Sequence, residues 1–212
     1  MNIVYQRLLA LIVALMTLVL SGCASLSPAK TYSMHTYLLT ANPIPSQTVS
    51  SSKAVLLVTP TFASAGFDTN ALLYQKEAYQ LESFSKNAWV SPPADMITPA
   101  ISANLVRLGY FKAIINSNSS FKADYILNTR LLSLYQDFTT TPSLLLFSIN
   151  VNLIASQTNT VLASHTFSYS IKTTADTPYG GVLAANKALS EFLQDLATWI
   201  FSQIQLNAMN SQ

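Results

Sequence analysis

The sequence predicts an α+β fold: a single domain whose mixed, largely antiparallel sheet carries two main helices packed on one face. Three observations lead there. Residues 123–138, 144–155 and 161–172 are long β-favouring segments separated by turn signals, the pattern of an antiparallel meander. Residues 95–108 and 178–204 instead place apolar side chains at three- and four-residue spacing, the period of a helix. Of 212 residues 50% are hydrophobic, and no internal repeat or long low-complexity linker divides them, so there is material for one core.

The elements follow in order. Residues 31–40, with Tyr32, Met34, Tyr37 and Leu39 near period two, read as a first strand, and the Pro43/Pro45 stretch after them as a loop. Residues 53–60 (KAVLLVTP) form a near-continuous apolar run, which predicts a central strand covered on both faces. Residues 61–70, with Gly66, connect it to a hairpin in residues 71–85 that bends near Lys76–Glu77 and feeds Trp89. Trp89, followed by the rigid Pro92–Pro93 pair, is the expected structural anchor where sheet and helix meet, because so large a ring covers much apolar surface.

The first helix is marked by Ile97, Ile101, Leu105 and Leu108 and stops at Gly109, a residue suited to the left-handed C′ position. Pro99 would break a hydrogen bond if the helix began at Pro92, so a start with Asp95 as N-cap, or a kink at Pro99, is expected. Residues 110–116 read as a strand and 116–120 as a turn. The segment LLLFSINVNLIA (144–155) begins as an apolar run and then alternates, with Phe147, Ile149, Val151 and Leu153 on one face, and residues 157–160 turn the chain into the third long strand. The last helix opens at Thr177–Pro178, with Pro at N1. Val182, Ala185, Leu189, Phe192, Leu196, Trp199 and Gln203, widened by Leu193, Ile200 and Ile204, give a stripe broad enough to lie on a sheet.

Charge excludes some functions. Lys and Arg number eleven against nine Asp and Glu, and charged residues make up 9% of the chain, well below the usual quarter. A net +2 without any basic run gives no footprint for nucleic acid. The two histidines, His35 and His165, fall in separate predicted strands, and no zinc-ligand spacing, Gly-x-Ser-x-Gly elbow or phosphate-cradling glycine loop occurs. Ser-x-x-Lys occurs four times, ending at Lys30, Lys53, Lys86 and Lys122, without the partner motifs that acyl-enzyme chemistry needs. Glu191 and Asp195 share a helix face at i,i+4 as a solvated stripe. The expectation is a protein that is not an enzyme and uses neither metal nor cofactor.

The N-terminus carries the sharpest motif. Arg7 precedes an apolar run from Leu8 to Leu20, shorter than a comfortable membrane span and shaped like a secretory signal. The sequence Leu20-Ser-Gly-Cys23 that follows resembles the bacterial lipobox, in which the cysteine thiol receives a diacylglycerol and becomes the first mature residue. Cys23 is the sole cysteine, so lipidation leaves no thiol for a disulfide. The expected organisation is a signal peptide over residues 1–22, a lipidated Cys23 and short tether over 23–30, and the domain over 31–212. By similarity to Gram-negative sorting rules, Ala24 directs the protein to the periplasmic face of the outer membrane.

Taken together, the lipobox, Tyr37-Leu-Leu-Thr40, Val55-Leu-Leu-Val58, the block from Tyr74 through Tyr79-x-Leu81 to Trp89-x-x-Pro92-Pro93, and Leu108-Gly-Tyr-Phe111 resemble the ABC-type transport auxiliary lipoproteins. The resemblance covers nearly the whole mature chain and is sharpest from Tyr74 to Phe111. It implies an accessory of an ABC system, of the paraquat-inducible kind among others, that moves membrane lipids or organic solvents. The partner it implies is the periplasmic MCE-domain protein of that system. Only Cys23 carries over as a modified site. The partner surface is expected from residues suited to contact: Tyr74, Tyr79 and Tyr135 as amphipathic aromatics, and Leu144, Leu145, Leu146 and Phe147 as a run that cannot all face a one-sided core. A homo-oligomer is compatible with this reading. A cell-envelope assembly lipoprotein and a lipid-binding carrier are the other two functions the sequence allows.

Overall fold

The computed structural model describes residues 2–20, 33–41, 52–116 and 122–210. It comprises two compact units, residues 1–33 and 34–212. In the first, Asn2–Leu20 form helix α1; among the described residues no helix is long and apolar enough to cross a membrane. Cys23 and the expected tether through Lys30 lie outside the described residues, as do the expected turn after Asn116 and most of the 41–52 loop.

The second unit is the α+β domain. Its strands are β1 (His35–Tyr37), β2 (Val55–Val58), β3 (Phe62–Ala63), β4 (Ala71–Gln75), β5 (Leu81–Trp89), β6 (Ala113–Asn116), β7 (Tyr125–Asp137), β8 (Leu144–Ala155) and β9 (Thr160–Lys172). Helix α2 (Pro93–Leu108) joins β5 to β6, and α3 (Pro178–Asn210) closes the chain. Strand β7 organises the nine-stranded sheet. One of its edges pairs antiparallel with β8 along nearly its full length, and β8 pairs likewise with β9. Its other edge receives three short strands in turn, all parallel: β2 at Tyr125–Leu127, β3 at Arg130–Leu131 and β4 at Gln136–Asp137. The sheet then extends through β5 to a parallel β1 on one side and through β2 to a parallel β6 on the other. The long ladders are therefore antiparallel and the short attachments mostly parallel.

Side-chain alternation decides the rest. Leu145, Phe147, Ile149, Val151 and Leu153 of β8 meet Leu127, Leu131 and Leu134 of β7 on the helix-facing side, all buried. Strand β2 shows the same pattern: Leu56 and Val58 are buried while Val55 and Leu57 are half-exposed. The expectation of a strand covered on both faces is thus corrected. An apolar run in a sheet with helices on one side alternates like any other strand, and its outward members are shielded only by their neighbours. Residues 61–70, expected as a connecting loop, contain the two-residue β3, and the first strand is shorter than expected.

The core is the layer between sheet and helices. From α3 it takes Val182, Ala185, Leu189, Phe192, Leu193, Leu196, Ile200 and Ile204; from α2, Ile97, Ile101, Leu105 and Leu108. Small residues Ala184, Ala188 and Ala197 are buried as well, which lets α3 approach its neighbours closely. Asn104 Nδ2 donates to the Leu193 carbonyl (3.1 Å), a buried hydrogen bond that links the two helices. At the start of α3, Thr177 Oγ1 accepts from the Gly180 N–H (3.1 Å), the cap expected of this residue with Pro178 at N1.

Helix α2 departs from expectation. It begins at Pro93 rather than beyond Asp95, with Pro92 at the N-cap position and no side-chain cap. Asp95 is a first-turn acid that complements the helix dipole, and Pro99 lies inside the helix on an exposed face. Pro93 costs nothing at N1, where its missing N–H has no intrahelical partner. Burial of Pro93 and Ala94 in the first turn compensates for starting early, ahead of a proline that cannot donate to Asp95. Gly109 ends the helix at φ +66°, as its sequence position predicts.

Candidate partner-binding surface

Trp89 is 4% exposed and ends β5 immediately before α2. Pro92 is half-buried and Pro93 buried, so the pair turns the chain directly beneath the helix layer. The Trp89 ring neighbours Leu72, Phe84, Leu134, Leu145 and Gly181 around a small residual gap. Sheet, α2 and the start of α3 therefore converge at this residue.

The seven residues expected at a partner surface separate by strand parity. Leu145 and Phe147 face the helices and are 3% and 2% exposed; Phe147 packs edge-on against Phe192 of α3 (5.8 Å). Neither can touch a partner. The reason is alternation: in a run of three leucines and a phenylalanine on a strand, every second side chain must enter the core. Tyr74 is likewise buried, in an aromatic cluster with Phe84 (4.4 Å) and Phe138 (5.9 Å). Its hydroxyl donates to Glu82 Oε2 at 2.6 Å, and that bond, with burial next, raises the Tyr74 pKa.

The others remain on the surface. Leu144, Leu146 and Tyr135 lie half-exposed on the outer face of the sheet, away from the helices, where Tyr135 stands opposite Leu146 and Asp137 opposite Leu144. Phe67, from the segment after β3, stacks on Tyr135 (6.3 Å, 25° between planes) and extends the apolar strip. Burial, then the nearby Asp137, raises the Tyr135 pKa and keeps the phenol neutral. Tyr79 is fully exposed in the turn between β4 and β5, in a left-handed conformation at φ +68°. Since Gln75 pairs with Asp137, this turn lies at the same end of the sheet as Leu144.

Around the strip the outer face is paved with neutral polar groups. Ser148 and Ser168 share a hydrogen bond (3.0 Å), Asn150 Nδ2 donates to Thr166 Oγ1 (3.0 Å), and Thr59 Oγ1 donates to Asn128 Oδ1 (2.9 Å). A shallow depression of about 290 Å³ lies over Ser133, Leu146, Ser148, Ser168 and Ser170. Phe67 and the serine rows were not singled out from sequence; strand parity would have found the serines, but the contact of Phe67 with Tyr135 joins distant segments and leaves no local signal.

Among the described residues no three His, Cys, Asp or Glu side chains gather to hold a metal ion. His165 packs edge-on against Phe167 (4.5 Å) and near Trp199, while His35 lies on β1. Tyr169, half-buried over α3, donates to Asp195 Oδ2 (2.8 Å), and burial followed by that bond pushes its pKa up.

The family model described as "ABC-type transport auxiliary lipoprotein component" matches residues 37–197, from β1 through most of α3. The chain belongs to this family. As a member it is a lipoprotein of the cell envelope and an auxiliary component of ABC-type transport. A crystallised protein from Xanthomonas campestris shares its fold at 19% identity and a TM-score of 0.75, over 82% of this chain and 98% of that one. A second crystal structure, titled only as an uncharacterized protein, does so at 16% identity and 0.63, over 79% and 99%. No curated protein matches the chain.

Proposed function

We propose that this member of the family is anchored to the periplasmic face of the outer membrane through a lipid on Cys23. There it binds the periplasmic MCE-domain protein of an ABC system that moves lipids or organic solvents. The family match over residues 37–197 carries the reading, because it assigns a transport-auxiliary role to the folded domain itself. The motif Leu20-Ser-Gly-Cys23 supports the anchor, and residues 1–22 act as the signal peptide that delivers it. The contact surface we assign is the outer sheet face around Phe67, Tyr135, Leu144 and Leu146, with Tyr79 at its end. Phe67, Tyr135, Leu144 and Leu146 stand on or against the long β7–β8 ladder, which holds them in place, and the surface joins aromatic and aliphatic groups to neutral hydrogen-bonding ones. The protein performs no chemistry in this role; it positions a partner.

A lipid carrier is less well supported. The layer between sheet and helices is filled by side chains, and a cleft of about 590 Å³ at the start of β7 is open and lined by Lys53, Asp124, Gln157, Thr158 and other polar groups. An acyl chain needs an enclosed apolar slot instead.

Metabolic labelling with palmitate and membrane fractionation test the anchor. Label should enter the wild type, vanish in Cys23→Ser with accumulation of the precursor, and move to the inner membrane in Ala24→Asp. Label persisting in Cys23→Ser, or unchanged fractionation of Ala24→Asp, would remove the corresponding step. Affinity purification of the wild-type lipoprotein from envelopes co-expressing the MCE-domain protein tests the partner.

A further inference from the structure

We propose that the edge of the sheet where the chain enters the domain rests directly on a phospholipid surface. The idea depends on Cys23 being the lipidated residue, and it adds a second membrane contact made by the folded domain. Five large apolar side chains flank this edge without cover: Met34 (55% exposed), Leu38 (62%), Val90 (53%), Tyr179 (57%) and Leu183 (42%). Scattered exposed apolar residues are ordinary, but these surround one short strand.

The contacts that gather them are specific. Among the described residues strand β1 is the last strand of the sheet on its side and pairs only with β5, Tyr37 lying opposite Trp89. The Val90 N–H donates to the Tyr37 carbonyl (2.9 Å), which holds Val90 beside Leu38. By alternation Met34 and Leu38 point away from Tyr37. On the helix side the Tyr37 ring meets Tyr179 (6.0 Å), and Leu183 follows one turn later on the same face of α3. The Thr40 N–H donates to Asn186 Oδ1 (3.0 Å) and ties the chain to that face. The edge is thus apolar on both flanks, with tyrosines whose rings combine an apolar body and a polar tip, the combination favoured at a bilayer interface.

The length of the tether selects the occupant. Met34 is eleven residues from Cys23, so a lipid on that cysteine holds this edge within at most about 40 Å of the bilayer, and any slack lets it touch. The far end of α3 is less favourably placed. Asn207 is 24 residues beyond Leu183, about 36 Å along the helix axis. Burial of a few such side chains to headgroup depth adds to the diacylglycerol on Cys23 and fixes how the domain lies on the bilayer.

The test uses the full-length lipoprotein in vesicles of phosphatidylethanolamine and phosphatidylglycerol. Because Cys23 is the only cysteine, a lipid there leaves the parent chain unable to take a thiol dye, and Leu183→Cys or Val161→Cys then supplies the single labelling site. Val161 is exposed and adjoins Thr160 and Leu162, which line one cleft with Asn207 at the far end of α3. With an environment-sensitive dye, the Leu183→Cys protein should shift its emission to the blue and lose most of it when the lipids carry a quencher. The Val161→Cys protein should do neither. Aqueous, unquenched emission at both positions would overturn the proposal while leaving the anchor intact. A blue shift without quenching would also overturn it, since a protein surface, such as a second copy, would then cover the edge. Dye uptake by the parent chain would show Cys23 free, and both the anchor and this proposal would fall.

Discussion

At the scale of single residues, parity on β8 separates stability from recognition. Leu145→Glu would bury an unpaired carboxylate against α3, so a loss of several kcal/mol in a denaturant melt is expected. Leu146→Glu, one position along, places its charge on the outer face and should leave the melt nearly unchanged. Equal losses in the two variants would contradict the assigned faces. Trp89→Ala should cost about 3–5 kcal/mol, as large-to-small aromatic truncations in cores do; a loss below about 1 kcal/mol would mean that the ring is not the anchor its burial indicates. Asp176 provides a pH test. Its Oδ1 accepts from the Ser143 N–H (2.6 Å), and that bond chiefly, with the Thr173 hydroxyl assisting, lowers its pKa. A lowered folded-state pKa contributes stability above the unfolded value near 3.9, lost as pH falls through the folded one. Asp176→Asn should therefore be less stable than wild type at neutral pH, with the gap narrowing in acid. A gap that stays constant from pH 7 to pH 3 would show that the carboxylate's charge is not what matters.

At the scale of elements, what was legible from sequence was whatever local periodicity determines. Strand β8 has the bounds its pattern predicts, β9 starts one residue earlier, and α3 carries the expected stripe on its buried face. What periodicity could not supply was pairing. That β2, β3 and β4 share one edge of β7 depends on contacts between distant segments, and the two-residue β3 has no pattern of its own. The surface residues are only half legible for a related reason: the run 144–147 is too apolar for one face, but which members face outward depends on the register. Helix α2 starts earlier than its sequence predicts because the cost of Pro99 is local, whereas the burial of Pro93 and Ala94 depends on tertiary packing and outweighs it. It follows that Pro99→Ala, on an exposed face, should raise the melting temperature, since a proline interior to a helix costs up to about 3 kcal/mol. A lower melting temperature would show that the proline serves the helix geometry. The beginning of α3 has the opposite sensitivity. A Cβ on Gly181 would collide with the amide of Gln136, which is held by Ser143 Oγ (2.8 Å), so Gly181→Ala should destabilise by about 1–3 kcal/mol.

At the scale of the whole molecule, the architecture separates two surfaces. The helices and the inner sheet face are committed to the core, while the outer face is a stiff, mainly polar plane that carries a few charges (Arg130, Asp137 and Lys172) beside an apolar strip. A protein so poor in charge gains little from long-range electrostatic steering. Tethering to a membrane offsets that by confining it where its partner must pass. The most direct measurement is the affinity of the full-length lipoprotein for the MCE-domain protein of its transport system, read in parallel with thermal melts. Wild type should bind, and Leu146→Glu should bind at least about tenfold more weakly, a change of some 1.4 kcal/mol, with its melting curve unmoved. Undiminished binding by Leu146→Glu would remove the outer face from the interface, and a wild-type lipoprotein that does not bind the MCE-domain protein would contradict the proposed function itself.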